Sequence, residues 1–421
     1  MKRRSCFLYL LLVVCTFLCV LYTCACDRIP EPVITITKPS GNQDITNPGA
    51  QRPAEEINII KLGFIGPISG NYASEGTAAR NAFQMAVDEA NESGRFPYFI
   101  DVIIIDDQSS EAAAIEGVRQ IITDPAVVAV SGFWNSGPAA AAIPLFIEAE
   151  IPLLIWGAIR EALTNENNVP WITRSAPTDK QENIPLAEAV IDDKGYTEWF
   201  VISDIGAYGI GNYDTFIREL SLRGITPVDT ALVEENHSDF RDIVRQINSS
   251  GVKAVYCGST EVIASRLKLQ LYQAGITDIF FCGISGIKTE EFFDIGEQAA
   301  EGTLAVSPGI ILTETEAGRN FIKAYNSRNY NEPIGSYTPY AYEAALILLN
   351  SLSVCSNEPA AEEMAHVIFR SRTVGLMGIT TFNEVGQTTN VAAYLNVAQD
   401  GLWIPYQNSE YSSGQRSFGG R

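Results

Sequence analysis

From Ile59 onward, short apolar runs alternate with stretches whose apolar residues recur at helical spacing, and the alternation occurs in two successive sets. A strand buried on both faces reads as a continuous apolar run, while the helix that crosses back over it shows one apolar stripe, so the pattern specifies βα units on parallel sheets. The first set comprises KLGFIG (61–66), YFIDVIIID (98–106), VVAVSG (127–132) and IPLLIWG (151–157). Helices are predicted between them over 78–91, 110–122 and 139–148, and WITRSAP (171–177) closes the set. The second set comprises EWFVISD (198–204), ITPVDTALV (225–233), VKAVYCG (252–258), IFFCGIS (279–285) and GTLAVSPG (302–309). Further helices are expected near 314–325, 340–352 and 360–369, with GITTF and VAAYLNVAQ as an extended pair and 408–421 as a disordered polar tail. Two sets of βα units imply two α/β lobes, and 421 residues at roughly 150 per domain accommodate them.

The N-terminus indicates a compartment. Residues 1–26 read as a basic start, an apolar stretch from Phe7 to about Tyr22, and small residues before Cys26, the layout of a secretory leader. Ala25-Cys26 is similar to a bacterial lipoprotein cleavage site, although Thr23 stands where that pattern prefers Leu; Cys24 has Leu21 at the right place but Thr23 before it. An apolar stretch of about 20 residues also suffices for an uncleaved anchor. Residues 27–57 contain Pro30, Pro32, Pro39, Pro48 and Pro53 and almost no periodic apolar pattern, so they read as a disordered tether. The expected protein is therefore exported, in the periplasm or cell envelope, and anchored through a lipid on Cys26.

The formal charge of −21 deepens by three if Lys2, Arg3 and Arg4 leave with the leader. Such a surface repels phosphate backbones and anionic lipid headgroups, which argues against nucleic-acid partners. Beyond the leader only Cys257, Cys282 and Cys355 remain, with no CxxC pair, and His237 and His366 are the two histidines, so no metal site is expected. Cys257 and Cys282 read as buried thiols that share one sheet. There is no GxSxG, no GxxxxGK and no GxGxxG after the first strand, and GAYGIG (206–211) has the wrong glycine spacing, so no cofactor is expected and an enzyme is disfavoured. Asp106 and Asp107, adjacent on a strand, point to opposite faces; one of them is expected to cap a helix.

Ligands of open parallel sheets bind at the carboxyl ends of the strands. The loops concerned are 66–76, GFWNSGP (132–138) and WGA (156–158) in the first set, and DIGAYG (204–209), GSTE (258–261) and GISG (283–286) in the second. In GFWNSGP, Pro138 suits a first helical turn and Gly137 permits close approach, leaving Ser136 at a helix N-terminus. There its hydroxyl either donates to an anion or caps the helix. Trp134 and Trp156 either stack on a flat ligand group or pack between sheet and helix.

KLGFIGPISGNYASEG, YFIDVIIIDDQ, GFWNS followed by IPLLIWGA, the AYG after VISD, and the closing GITTFNEVG together resemble the leucine/isoleucine/valine-binding protein family. These are the branched-chain amino acid type of ABC-transporter substrate-binding protein, and the resemblance runs from about Ile59 to Gln407. It implies the type I periplasmic binding protein fold: two Rossmann-like lobes with parallel-sheet cores joined by three hinge crossings. Lobe 1 would span 58–177 and 311–385, and lobe 2 would span 178–310 and 386–407. Carried over by motif, Ser136 contacts a ligand carboxylate, Gly157 and Ala158 lie beside it, Tyr208 reaches in from lobe 2, Tyr337 lines the side-chain pocket, and Tyr72 is a looser match.

Three positions depart from that pattern. Ile159 stands in place of a hydroxyl, Thr260 in place of an aromatic, and Ser285 in place of the acid that pairs the α-ammonium. A desolvated ammonium without a carboxylate costs several kcal/mol. The expected solute therefore has a carboxylate or similar acceptor without requiring an ammonium partner, unless Asp204 or Glu261 supplies the charge. The function expected is a monomeric solute-binding component that delivers its ligand to an ABC permease in the cytoplasmic membrane. The alternatives are a sensor of the same fold and a secreted Rossmann oxidoreductase.

Overall fold

The computed structural model describes residues 58–420. The leader, Cys26 and the 27–57 segment lie outside the described residues. None of the helices among the described residues is long and apolar enough to cross a membrane.

The first βα set forms a five-stranded parallel sheet. Its strands are β1 (Ile59–Gly66), β2 (Phe99–Asp106), β3 (Val127–Gly132), β4 (Leu153–Ile155) and β5 (Ile172–Arg174), in the order β2-β1-β3-β4-β5. Helices α1 (Ala73–Glu92), α2 (Glu111–Ile121), α3 (Ser136–Ala149) and the short α4 (Ala162–Asn165) connect them. All six residues of β3 are buried, as its unbroken apolar run demands. The strand order reverses at β1, so the crevice outside the carboxyl ends of β1 and β3 is the topological switch point, where loops diverge and leave room for a ligand.

After α5 (Asp179–Ala187) the second set repeats this order. Strands β6 (Trp199–Asp204), β7 (Asp229–Val233), β8 (Ala254–Cys257), β9 (Phe280–Gly283) and β10 (Leu304–Pro308) are parallel and run β7-β6-β8-β9-β10. Helices α6 (Ala207–Leu222), α7 (Arg241–Ser250), α8 (Glu261–Gln273) and α9 (Glu291–Gly296) lie between them. The chain then returns to the first lobe with α10 (Glu316–Ser327), α11 (Thr338–Leu352), which packs on α1, and α12 (Ala361–Phe369). Strands β11 (Thr373–Gly375) and β12 (Gly378–Thr380) pair with each other. Finally β13 (Ala393–Gln399) and β14 (Leu402–Pro405) extend the second sheet to seven strands.

The chain thus passes between lobes after β5, after β10 and before β13. At the first and third passages, Arg174 N–H donates to the Gly386 carbonyl and Thr388 N–H to the Arg174 carbonyl, both at 2.9 Å. The fully buried Arg174 guanidinium donates to Gln387 Oε1 at 2.6 Å, to the Ala158 and Arg160 carbonyls at 3.1 and 2.6 Å, and to Thr164 Oγ1 at 3.0 Å. A buried cation with its donors satisfied by fixed acceptors holds the crossing strands in register.

Several sequence expectations change. GITTF and VAAYLNVAQ do not pair: the first closes on β11, and the second runs antiparallel to β10. Residues 386–388 bond to β5 in the first lobe, which moves the third crossing beyond Thr388. The polar tail is ordered. Tyr411 and Phe418 are buried and stack with centroids 4.7 Å apart, Phe418 meets Phe280 edge-on at 5.3 Å, and Arg416 bonds Glu301 and Asp400. Two aromatics seven residues apart among Ser and Gly leave no periodic trace, yet they anchor the segment. Cys257 and Cys282 are free: Tyr256, not Cys257, is the register partner of Cys282, so the two thiols point to opposite faces of the sheet and enter different core clusters.

Candidate ligand-binding cleft

A cavity of about 620 Å³ lies between the two lobes, lined by loops at the carboxyl ends of both sheets. On the first lobe Asn135 is the N-cap of α3 and Ser136 its first residue. The N–H groups of the first turn of a helix have no intrahelical acceptor and point outward with the positive end of the dipole. Buried Ser136 accepts the Arg160 N–H at 3.4 Å, which leaves its own hydroxyl proton available to the cleft. A Cβ at Gly157 would come within 3.1 Å of Trp134 Cα and 3.2 Å of the Phe133 carbonyl, so glycine is what lets the β4 loop abut the β3 loop. Tyr72 and Trp134 form an aromatic wall with centroids 4.8 Å apart. Across the cleft, the Tyr72 hydroxyl donates to Thr260 Oγ1 at 3.4 Å.

At the floor, three groups from both lobes form one network. The Tyr337 hydroxyl donates to Glu182 Oε1 at 2.6 Å, Ser285 N–H donates to Glu182 Oε2 at 3.1 Å, and the Ser285 and Tyr337 hydroxyls lie 2.9 Å apart. Glu182 has no exposed surface, and burial pushes its carboxyl up to about 7 despite these donors. Tyr208, near the start of α6, packs so closely on Gly286 that a Cβ there would collide with its hydroxyl.

The wall contributed by lobe 2 is acidic. Asp204, at the end of β6, accepts Gly206 N–H at 2.8 Å and the Ser259 hydroxyl, and its burial raises its pKa. Glu235 follows β7, and its pKa is raised by burial first, then by Asp204 and by Glu111 across the cleft. Gly206 leaves the space into which the Glu235 carboxylate reaches, with Asp204 Oδ1 2.8 Å from where a Cβ would stand. Among the described residues that line the cleft, Glu111, Asp204 and Glu235 carry charge and none is Lys or Arg.

Of the residues predicted from sequence, Tyr72, Trp134, Ser136, Gly157, Tyr208, Thr260, Ser285 and Tyr337 line this cavity, as does Ile159. Trp156 and Ala158 do not. Trp156 is fully buried, stacks on Phe64 at 5.6 Å and donates Nε1–H to the Ile65 carbonyl at 3.1 Å, which makes it part of the core. Ala158 is buried in a core cluster, and its N–H and carbonyl are taken by Phe133 and Arg174. Asp204 faces the cleft, whereas Glu261 faces a different cavity. The helix cap at β2 is Ser110, which accepts Ala113 N–H; Asp106 instead caps the β1 loop through the N–H groups of Ile68 and Ser69. Sequence reading missed Glu182, Glu235, Glu111 and Ser259. Glu111 and Glu182 occupy first helical turns, where acids are commonplace, so no local signal separates them from solvated residues. Among the described residues, no group of three or more His, Cys, Asp or Glu is placed to hold a metal ion.

A family model described as periplasmic binding protein matches residues 59–401. The Leu/Ile/Val-binding protein homolog 3 of Brucella melitensis is 25% identical over 333 residues, covering 79% of this chain and 89% of the relative. Among solved structures, a branched-chain amino acid transporter substrate-binding protein from Streptococcus pneumoniae in complex with isoleucine superposes with a TM-score of 0.74 at 22% identity, covering 83% of this chain and 100% of that one. An ABC transporter solute-binding protein from R. palustris in complex with 4-hydroxybenzoate gives 0.73 at 18% identity, covering 83% and 95%.

Proposed function

This chain belongs to the periplasmic binding protein family, and from that premise we propose that it captures a small amino-acid-like solute between its lobes outside the cytoplasm and delivers it to the permease of an ABC importer. It acts as a monomer, held at the membrane by a lipid on Cys26. The observation that carries this reading is the polarity of the cleft. One wall presents the Ser136 hydroxyl and the first turn of α3, suited to a carboxylate, with the Glu111 side chain beside Gly137 as its one acid; the opposite wall presents Asp204 and Glu235, suited to a cation.

This revises the ligand expected from sequence. Replacement of the family's acid by Ser285 removes one ammonium partner, but Asp204 and Glu235 restore negative charge from neighbouring loops. A solute with a carboxylate alone would meet three acids and no cation, which is unfavourable in a partly desolvated cleft. The structures with isoleucine and 4-hydroxybenzoate bound show that relatives of this fold take both zwitterions and simple acids. The acidic wall favours the zwitterion here. Calorimetry with leucine, isoleucine, their 2-oxo analogues and 4-hydroxybenzoate tests this. The amino acids are expected to bind and the deaminated acids to bind at least tenfold more weakly, with Ser136→Ala costing about 1–3 kcal/mol. Tight binding of the 2-oxo acids with none of the amino acids would overturn the reading.

A further inference from the structure

A second cavity of about 550 Å³ lies on the other side of Tyr72 from the cleft, sharing Asn71 and Tyr72 with it. We infer that this cavity is a subsite for an alkylammonium group, held by Glu75 and Glu261 against an apolar wall formed by Trp403, Phe293 and Ile334.

Glu261 opens α8 and is 1% exposed, yet its Oε2 has no hydrogen-bond partner among the described residues. Glu75 Oε2 is likewise buried and unpartnered. Both residues line the cavity. The Glu75 carboxylate lies against Gly335, where any Cβ would collide with it, so a glycine leaves room for the acid at the rim. Leaving a buried carboxylate oxygen unsatisfied costs more than leaving a neutral acceptor so. Burial raises the pKa of both carboxyls, that of Glu261 up to about 8, so an occupant that donates to these two oxygens satisfies them and draws the acids into their charged form.

The remaining lining defines those donors. Glu290, Glu291 and Asp294 add negative charge, and Lys288 is the one cation among the described lining residues. Lys288 lies near enough to Glu75 for their charges to attract, but makes no direct ion pair with it or with Glu261; its Nζ turns to Ser336 Oγ at 3.4 Å, and burial lowers its pKa. With five acids to one lysine on its lining, the cavity disfavours an anion. The Trp403 indole is fixed by donation to the Thr289 carbonyl at 2.9 Å, and it packs on Phe293 with centroids 5.3 Å apart. Aromatic faces beside acids suit an ammonium with an alkyl body, which gains from ring quadrupole and apolar burial together. Hydrated inorganic cations make no use of such a wall.

The ammonium has two sources: a free amine, or the far end of a solute whose carboxylate occupies the first cleft. The Tyr72–Thr260 contact that partitions the two spaces is a single long hydrogen bond. The test uses the purified protein and its Glu261→Gln, Glu75→Gln and Ser136→Ala variants, with melting curves to confirm folding. Calorimetry with propylammonium, 1-butanol, 6-aminohexanoate and hexanoate reads the affinities. Wild type is expected to bind an ammonium-bearing probe at least tenfold more tightly than its uncharged or deaminated counterpart, with Glu261→Gln abolishing the preference. If Glu261→Gln does not fold, Glu75→Gln supplies the same readout. Loss of propylammonium binding in Glu261→Gln with no change in Ser136→Ala identifies a free amine. Loss of 6-aminohexanoate binding in both variants identifies the far end of a cleft-bound solute. The inference is overturned if propylammonium binds no better than 1-butanol and 6-aminohexanoate no better than hexanoate, or if these preferences survive in the folded glutamine variant. The free-amine source does not depend on which solute fills the first cleft, whereas the far-end source rests on the reading of that cleft, and the Ser136→Ala arm keeps the outcomes for the two sites separable.

Discussion

Replacing Glu182 by Gln changes how stability responds to pH, and the structure sets both sign and size. The carboxyl titrates near 7 in the folded protein because it is fully buried behind Ser285 and Tyr337. In the unfolded chain it titrates near its ordinary 4.5. Between these values the native state holds a proton that the unfolded state has lost, so stability is complete below about 4.5 and falls as pH rises through about 7. At about 1.4 kcal/mol per unit, the ionised group costs the native state about 3 kcal/mol at pH 8, as an upper bound. Gln keeps the shape and cannot ionise. It accepts the Tyr337 hydroxyl through its oxygen but sets an NH2 against the Ser285 N–H, a mismatch of about 1–2 kcal/mol at every pH. The variant is therefore expected to be less stable than wild type at pH 5 by up to about 1 kcal/mol, part of the mismatch being offset by the ionisation already begun in wild type, and equal or more stable at pH 8. Urea denaturation of both proteins at the two pH values measures the difference. Asp107, whose pKa is also raised by burial, titrates in both proteins and cancels, whereas Asp179, whose charge adds to the rise of Glu182, loses a charged neighbour in the variant, which further favours the variant at high pH. A gap that stays constant with pH, or widens against the variant at pH 8, would refute the reasoning by showing that the network stabilises the charged form.

The Tyr72–Thr260 and Tyr337–Glu182 bonds join lobe to lobe in this conformation. With three chain crossings permitting rotation, the ligand-free protein is expected to show a larger radius of gyration than the leucine-bound one by small-angle scattering; identical profiles would count against closure. Trp156→Phe removes the Nε1–H donor of the Ile65 carbonyl from a filled core and should lower stability by about 1–3 kcal/mol with ligand affinity unchanged. Trp134→Phe, on the cleft wall, should do the reverse, and calorimetry alongside thermal melts separates the two. Phe418→Ala is expected to cost about 3–5 kcal/mol in chemical denaturation, as for a core aromatic; a negligible change would mean that the tail contributes nothing to the fold.

Apolar periodicity alone determined the two βα sets, and with them the parallel sheets and the loops at which a ligand can sit. That much is local, because burial on two faces and a 3.6-residue stripe are properties of ten-residue windows. The GFWNSGP turn likewise announced its helix N-terminus through proline and glycine chemistry confined to a few residues. Only the tertiary structure placed Trp134 on the cleft and Trp156 in the core, since both stand at strand ends and differ in which layer their rings enter. It also joined Glu182 to Tyr337, 155 residues away, and set Asp204 beside Glu235 in the space left by Gly206. The charge of a site is a sum over loops brought together by the sheet, and a carboxylate that opens a helix reads the same in sequence whether it faces water, as Glu362 does, or is sealed under a cleft, as Glu182 is.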